Sequence, residues 1–256
     1  SQTWVSDVST LIGVVGLDSN QCSNWDTSNV TVLDLPVVSL NNDTAICIGK
    51  STELLVSGGD NYLWLNNEVL SNTDSLISVS PDSSSIYRVR INGLNGCYAL
   101  DSIKVDINQL PKVGVMSDTL ICESSNAYLW ASGGINYIWT PETYLNQQVG
   151  AEILSTPENP ITYKVVVTNI NGCIDSAETS ISLNVNPTAY FNFDYFPSCA
   201  GFEVQFTDSS QLADAYTWDF GDGGNSNELN PYNVFAFGSY SNTSLIVANN
   251  GICFDT

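Results

Sequence analysis

The chain contains no histidine, a single methionine and six basic residues, against 27 acidic ones among its 256. Without histidine there is no Ser-His-Asp triad, no imidazole general base and no His-containing zinc site. Carboxylates, Ser, Lys and Tyr are left for any chemistry. The scarcity of cations brings the net charge to -21 and the pI to about 4.1, which excludes nucleic-acid binding by counterion release and polybasic attraction to anionic lipid. No apolar stretch has the length of a signal or membrane span, and no window carries a helical period. What is present is an ordinary folding composition, 43% hydrophobic.

It is arranged in repeats. Asp43-Thr-Ala-Ile-Cys47 recurs as Asp118-Thr-Leu-Ile-Cys122, Ser57-Gly58-Gly59 as Ser132-Gly133-Gly134, and Tyr62-x-Trp64 as Tyr137-x-Trp139, each 75 residues on. Tyr87, Asn95-Gly96-Cys97 and Pro111 recur 76 residues on as Tyr163, Asn171-Gly172-Cys173 and Pro187, so one residue is inserted between Trp139 and Pro157. Upstream, Cys22 and Pro36 precede Cys97 and Pro111 by 75. A fixed period of this size marks stacked or tandem units. The register predicts the end of one unit at 1–36, complete units at 37–111 and 112–187, and a fourth at 188–256 that lacks its last strand. The chain starts with Ser and both ends fall inside units, as expected of a window on a longer polypeptide or a processed chain.

The units are predicted to be all-β. Tyr62-Leu-Trp64-Leu, Ile86–Ile91, Ser102–Ile107, Tyr163–Val167 and Thr179–Val185 alternate or are rich in β-branched and aromatic residues, and Asn-Gly pairs mark the turns between them. Short strands with regular turn signals predict tandem immunoglobulin-like β-sandwiches, with Tyr62, Trp64, Tyr137 and Trp139 packed in their cores. Pro36, Pro111 and Pro187 close the units as stiff junctions that stop one sheet pairing into the next. The repeat register pairs the cysteines within units: Cys47 with Cys97, Cys122 with Cys173 and Cys199 with Cys253. Cys22 is left without a partner in this window. Such staples predict an oxidising, extracellular location and contribute up to ~4 kcal/mol each on the chain-entropy model.

The fourth unit reads Val204-Gln-Phe206-Thr-Asp208, Tyr216-Thr-Trp218-Asp219-Phe220-Gly221-Asp222-Gly223, Asn230-Pro231, Gly238-Ser-Tyr240 and Leu245–Ala248. This resembles a PKD domain, an immunoglobulin-like sandwich of extracellular proteins, most specifically through Trp218 to Gly223. Trp218 and Phe220 would enter the core from one strand face, with Gly221-Asp222-Gly223 as the following hairpin. The two preceding units resemble the Ig-like repeats of giant surface proteins of gliding and marine Bacteroidota. That resemblance implies secretion by the type IX pathway and a role in gliding or adhesion.

Few residues point to chemistry. Asp219 and Asp222 admit three readings: an acid-base pair, calcium ligands, or carboxylates that shape a turn. Because no Asp-x-Asp-x-Asp-Gly loop occurs and the acidic residues are dispersed, Asp219 and Asp222 are expected to shape a turn; no catalytic residue, metal or cofactor is expected. A sugar-stacking role for Tyr62, Trp64, Tyr137, Trp139 and Trp218 competes with core packing, while Trp130 stands where the earlier unit has Leu55. Asn29-Val-Thr31, Asn42-Asp-Thr44 and Asn242-Thr-Ser244 match glycosylation acceptors only by a short pattern. The fourth unit has eight acidic residues and no basic one. Such charge keeps an exposed fibre soluble, most readily in salty water. The expected partners are the rest of a longer polypeptide or identical copies, and a cell-surface target. Head-to-tail strand exchange between copies, donated by residues 26–36, is one such arrangement. The expected role is a structural segment of an extracellular fibre or appendage. The alternatives are a glycan- or protein-binding adhesin module and an accessory segment of a secreted hydrolase.

Overall fold

A computed structural model of the chain describes residues 5–65, 74–239 and 241–256; Tyr240 of the PKD-like pattern lies outside them. Among the described residues the regular elements are strands, and no helix is long and apolar enough to cross a membrane. The chain divides into two compact units, Ser1–Gln109 and Leu110–Thr256.

The first unit holds a hairpin and a sandwich. The hairpin pairs Thr10–Leu17 with Ser23–Val30 antiparallel, so residues 26–30 are held within this chain. Its turn is closed by Asp18, whose Oδ1 accepts from the backbone N-H of Asn20 and of Cys22, both at 2.8 Å. The sandwich sets a three-stranded sheet (Ser39–Leu40, Thr52–Ser57, Leu76–Val79) over a four-stranded one in the order Thr44–Cys47, Tyr98–Asn108, Ser85–Asn92, Asn61–Leu65. The second unit repeats this with Gly114–Val115, Ala127–Ser132 and Glu152–Ser155 over Thr119–Cys122, Ile174–Asn184, Ile161–Thr168 and Asn136–Thr140. These are immunoglobulin-like sandwiches, closed where the first strand of the larger sheet runs parallel to the last.

The repeated motifs have physical reasons. Alternation along Thr52–Ser57 and Ser85–Asn92 buries Leu54, Val56, Tyr87, Val89 and Ile91 between the sheets, where Trp64 fills the gap. Trp139 does the same among Leu129, Tyr163, Val165 and Val167. Each indole Nε1-H donates to a carbonyl, of Asp74 at 3.0 Å and of Gly150 at 2.9 Å, so the polar end of the ring is not left unpaired. In Ser-Gly-Gly, the first glycine has φ of +101° at Gly58 and +105° at Gly133; a Cβ there would collide with the carbonyl of Val37 or Lys112. The aspartate of Asp-Thr-x-Ile-Cys accepts from the last strand: Lys104 N-H donates to Asp43 Oδ1 at 2.7 Å and Ser180 N-H to Asp118 Oδ1 at 2.8 Å. That pins the parallel register, Thr44 opposite Val105 and Thr119 opposite Ile181.

The last sandwich also belongs to the second unit. Its sheets are Phe191–Ser198, Gly201–Asp208, Tyr232–Phe235 and Asn225–Ser226, Ala215–Asp219, Ser244–Asn249, Cys253–Asp255. Here Phe191–Ser198 forms a hairpin with Gly201–Asp208. The core is aromatic: Phe206 stacks on Phe220 at 5.4 Å and packs 5.3 Å from Trp218, with Phe191 5.0 Å from the same indole.

Candidate functional site

The feature that joins one sandwich to another is a disulfide between Cys122 and Cys253, with 5.6 Å between the Cα atoms and a separation of 131 in sequence. It corrects the pairing expected from the repeat. Cys97 and Cys199 are free, as is Cys22, so neither Cys47–Cys97 nor Cys199–Cys253 forms. Cys122 is taken by Cys253, so it does not bond Cys173; Cys47 and Cys173 are also in disulfides.

The reason lies in the register of the first strand. Cys122 ends its strand opposite Asn184, at the far end of Ile174–Asn184, whereas Cys173 precedes the near end. Ten residue steps at about 3.3 Å separate the two ends by roughly 33 Å. A disulfide needs Cα atoms within about 7 Å. The same geometry separates Cys47, opposite Asn108, from Cys97, which precedes Tyr98. Cys199 sits at the exposed tip of the hairpin Phe191–Ser198/Gly201–Asp208.

What reaches Asn184 is the Asn-Gly-Ile-Cys turn of the following sandwich. Asn250 and Gly251 take φ of 55° and 67°, folding the chain between Ser244–Asn249 and Cys253–Asp255. Asn184, nearly buried, donates from Nδ2 to Asn249 O at 3.0 Å and accepts at Oδ1 from Asn250 Nδ2 at 3.1 Å. Asn249 Nδ2 donates to Val185 O at 2.8 Å, and the Ala189 N-H donates to Asp255 Oδ2 at 2.8 Å. Cys253 Sγ lies 3.8 Å from Asn184 O. The segment around Pro187 is thus clamped by side-chain amides and one covalent bond.

A second joint of this kind lies in the first unit. Asn95 accepts from the Cys97 N-H at 3.1 Å and donates from Nδ2 to Asp34 O at 2.8 Å; Cys97 Sγ lies 3.9 Å from Leu33 O. A cleft of about 440 Å³ beside it is lined by Leu35, Pro36, Gly58, Gly93 and Leu94.

The remaining predicted residues fall elsewhere. Trp64, Trp139 and Trp218 lie in the three cores, and Trp218 Nε1 donates to Glu228 O at 2.9 Å. Tyr62 and Tyr137 are half-buried, with their hydroxyls donating to Gly59 O and Gly134 O. Asp219 Oδ1 accepts from the Gly221 N-H, and Gly221 has φ of +75° with no room for a Cβ against the Asn242 backbone. Asp222 accepts from Asn233 Nδ2 and from the Gly224 N-H, both at 2.8 Å. Those bonds, the Asn233 amide foremost, hold its carboxyl below the usual range. Both carboxylates shape the turn 219–224. Among the described residues no group of three or more Cys, Asp or Glu is placed to hold a metal. Trp130 faces solvent beside Tyr128, with Glu152 opposite on the neighbouring strand. A second aromatic surface, a groove of about 580 Å³, is lined by Phe193, Tyr195, Phe202 and Phe235.

Sequence reasoning missed the roles of Asn184 and Asn249. The signal was available in part: an Asp-Thr-x-Ile-Cys strand that pairs with the last strand carries its cysteine to the end of the sandwich where the next unit begins.

No family model matches the chain, and no curated protein matches it in sequence. Among solved structures it is similar to a Ca2+-stabilized adhesin that helps an Antarctic bacterium reach out and bind ice, at 13% identity over 97% of this chain and 80% of that one, with a TM-score of 0.38. A structure from a 1.5-MDa bacterial ice-binding adhesin shares 12% identity over 87% of this chain and 95% of that one, also at 0.38. The first two immunoglobulin domains of DIP-gamma share 16% identity over 58% of this chain and 98% of theirs, at 0.32.

Proposed function

We propose that this chain is a non-enzymatic structural segment of a long extracellular fibre, stalk or surface appendage of a bacterium, serving adhesion, gliding or contact with other cells. Its repeating units are 1–36, 37–111, 112–187 and a PKD-like 188–256. The observation that carries the reading is the Cys122–Cys253 bond. Tension entering at Leu110 passes along Thr119–Cys122, crosses one covalent bond and leaves at Cys253, so the 130 residues between are off that path. Either sandwich can then open without lengthening the stretch from Leu110 to Thr256, a property suited to a spacer that must hold its reach. The disulfides favour an oxidising extracellular location, and the motif resemblance favours a type IX secreted surface protein of Bacteroidota.

Single-molecule stretching between handles at Leu110 and Thr256 tests this. Full extension should be shorter by about 450 Å than that of a Cys122→Ala/Cys253→Ala variant, at about 3.4 Å for each shielded residue. Equal extensions would sink the proposal.

A second reading, a glycan- or protein-binding module, is favoured by Trp130 and Tyr128, whose outward faces place two rings side by side on one sheet. It predicts that Trp130→Ala abolishes retention on a glycan array without changing stability; unchanged retention, or no retention by either protein, would count against it.

A further inference from the structure

The earlier joint holds a thiol where the later one holds a disulfide. In the later joint Ile181–Asn184 takes the strand Thr119–Cys122 in parallel register, which sets Cys122 where Cys253 arrives. The repeat places Val30, Thr31, Val32 and Leu33 at the positions of Ile181, Ser182, Leu183 and Asn184. Cys97 stands to Leu33 as Cys253 stands to Asn184, 3.9 and 3.8 Å from the carbonyl oxygen. What differs is the cover. Ile181 lies in a sandwich core and its strand is flanked on the outer edge by Thr119–Cys122, whereas the matching Val30 is half-buried, Val32 and Leu33 are 38% and 49% exposed, and no strand flanks their outer edge among the described residues. One apolar strand edge and one sulfur are in place, and among the described residues no strand pairs with the first or bonds the second.

We propose that Val30–Leu33 and Cys97 form a docking site for an extended strand of the Asp-Thr-x-Ile-Cys type, contributed by an immunoglobulin-like repeat earlier in the same polypeptide, and that docking ends in a disulfide between that strand's cysteine and Cys97. The strand pairs in parallel with residues 30–33, its isoleucine faces the core beside Val32, and its cysteine lies opposite Leu33. The two thiols give up two protons and two electrons to a low-molecular-weight disulfide, which leaves as two thiols. The inference rests on reading Cys122–Cys253 as a repeat-to-repeat joint.

The test uses a peptide with the sequence of Val115–Glu123, its cysteine carried as a mixed disulfide with glutathione. The Cys97 thiolate attacks the peptide sulfur, the bond to glutathione breaks and glutathione leaves as the thiolate, so no further oxidant is needed. Capture at Cys97 should exceed that of a scrambled peptide with the same cysteine by about tenfold, equivalent to about 1.4 kcal/mol of docking. Cys22 and Cys199, both more exposed than Cys97, should show no preference. Capture that follows exposure, or that ignores peptide sequence, overturns the proposal. Val30→Asp with Val32→Asp should remove the preference while alkylation of Cys97 by iodoacetamide keeps its rate; a surviving preference also overturns it. If Cys122–Cys253 is found intact in the same digest, failed capture rejects the docking site and leaves the proposed function standing. In unreduced protein from its native source, Cys97 joined to a cysteine of the same polypeptide supports the assigned source. A bond from Cys97 to Cys199 of a second copy overturns that source.

Discussion

At Asn184–Pro187, an Asn-Gly turn, a sulfur beside a strand-end carbonyl and an amide clamp are completed by a disulfide to Cys122. At Leu33–Pro36 the same turn and the same approach of sulfur to carbonyl occur around a free thiol. The turn therefore does not require the bond in order to dock. The difference between the joints lies in the neighbouring strand: Thr119–Cys122 covers Ile181–Asn184, and the open edge Val30–Leu33 has no equivalent among the described residues. A bond made this way records which strands are already adjacent.

The largest effect separating the two joints should come from removing sulfur. Cys122→Ala with Cys253→Ala should destabilise the 110–256 unit by roughly 3–5 kcal/mol, since the bond closes a loop of 131 residues. Cys97→Ala, which removes no bond, should alter the 1–109 unit by less than about 0.5 kcal/mol. Urea unfolding of unreduced protein reads both, and similar losses in the two units would erase the contrast. Next come the amides. Asn184→Ala removes the side-chain partner of the Asn249 carbonyl and of the Asn250 amide at a part-buried site and should cost about 1–2 kcal/mol; Asn95→Ala, at an exposed joint, should cost about 1 kcal/mol or less. A larger loss at Asn95 would mean that the open joint depends on its clamp more than the bonded one does.

The smallest effect lies away from both joints. Asp222→Ala should cost about 1 kcal/mol or less because the turn is exposed and its bonds are screened. The Asp222 carboxyl is held low by Asn233 and the Gly224 N-H, so its contribution is complete above the unfolded pKa and is lost as pH falls through the lower folded value. The stability gap between wild type and variant should stay constant from neutral pH to about 5 and close at lower pH; a gap that widens on acidification would contradict the assigned bonds.

The β architecture was legible because its determinants are local. Alternation named the strands, Asn-Gly named turns, and Trp64, Trp139 and Trp218 stood where a sandwich needs a large buried ring. The second and third repeats could be superposed in sequence because Asp43 and Asp118, like Gly58 and Gly133, satisfy the same backbone demands. Cysteine partnership was not legible. The repeat fixes which cysteines are equivalent, but a disulfide depends on which strand ends meet in space. An 11-residue last strand carries Asn184 far from Cys173 and toward the next sandwich. Nor did the pattern distinguish Trp130 from Leu55, since both face outward on equivalent strands and nothing inside the fold selects between them.

The account stands on bonds formed between consecutive repeats. Digesting unreduced protein from its native source and identifying cross-linked peptides by mass spectrometry tests this most directly. The account predicts one species joining the Thr119–Cys122 strand to the peptide bearing Cys253. Species joining Cys122 to Cys173 and Cys199 to Cys253 would contradict it.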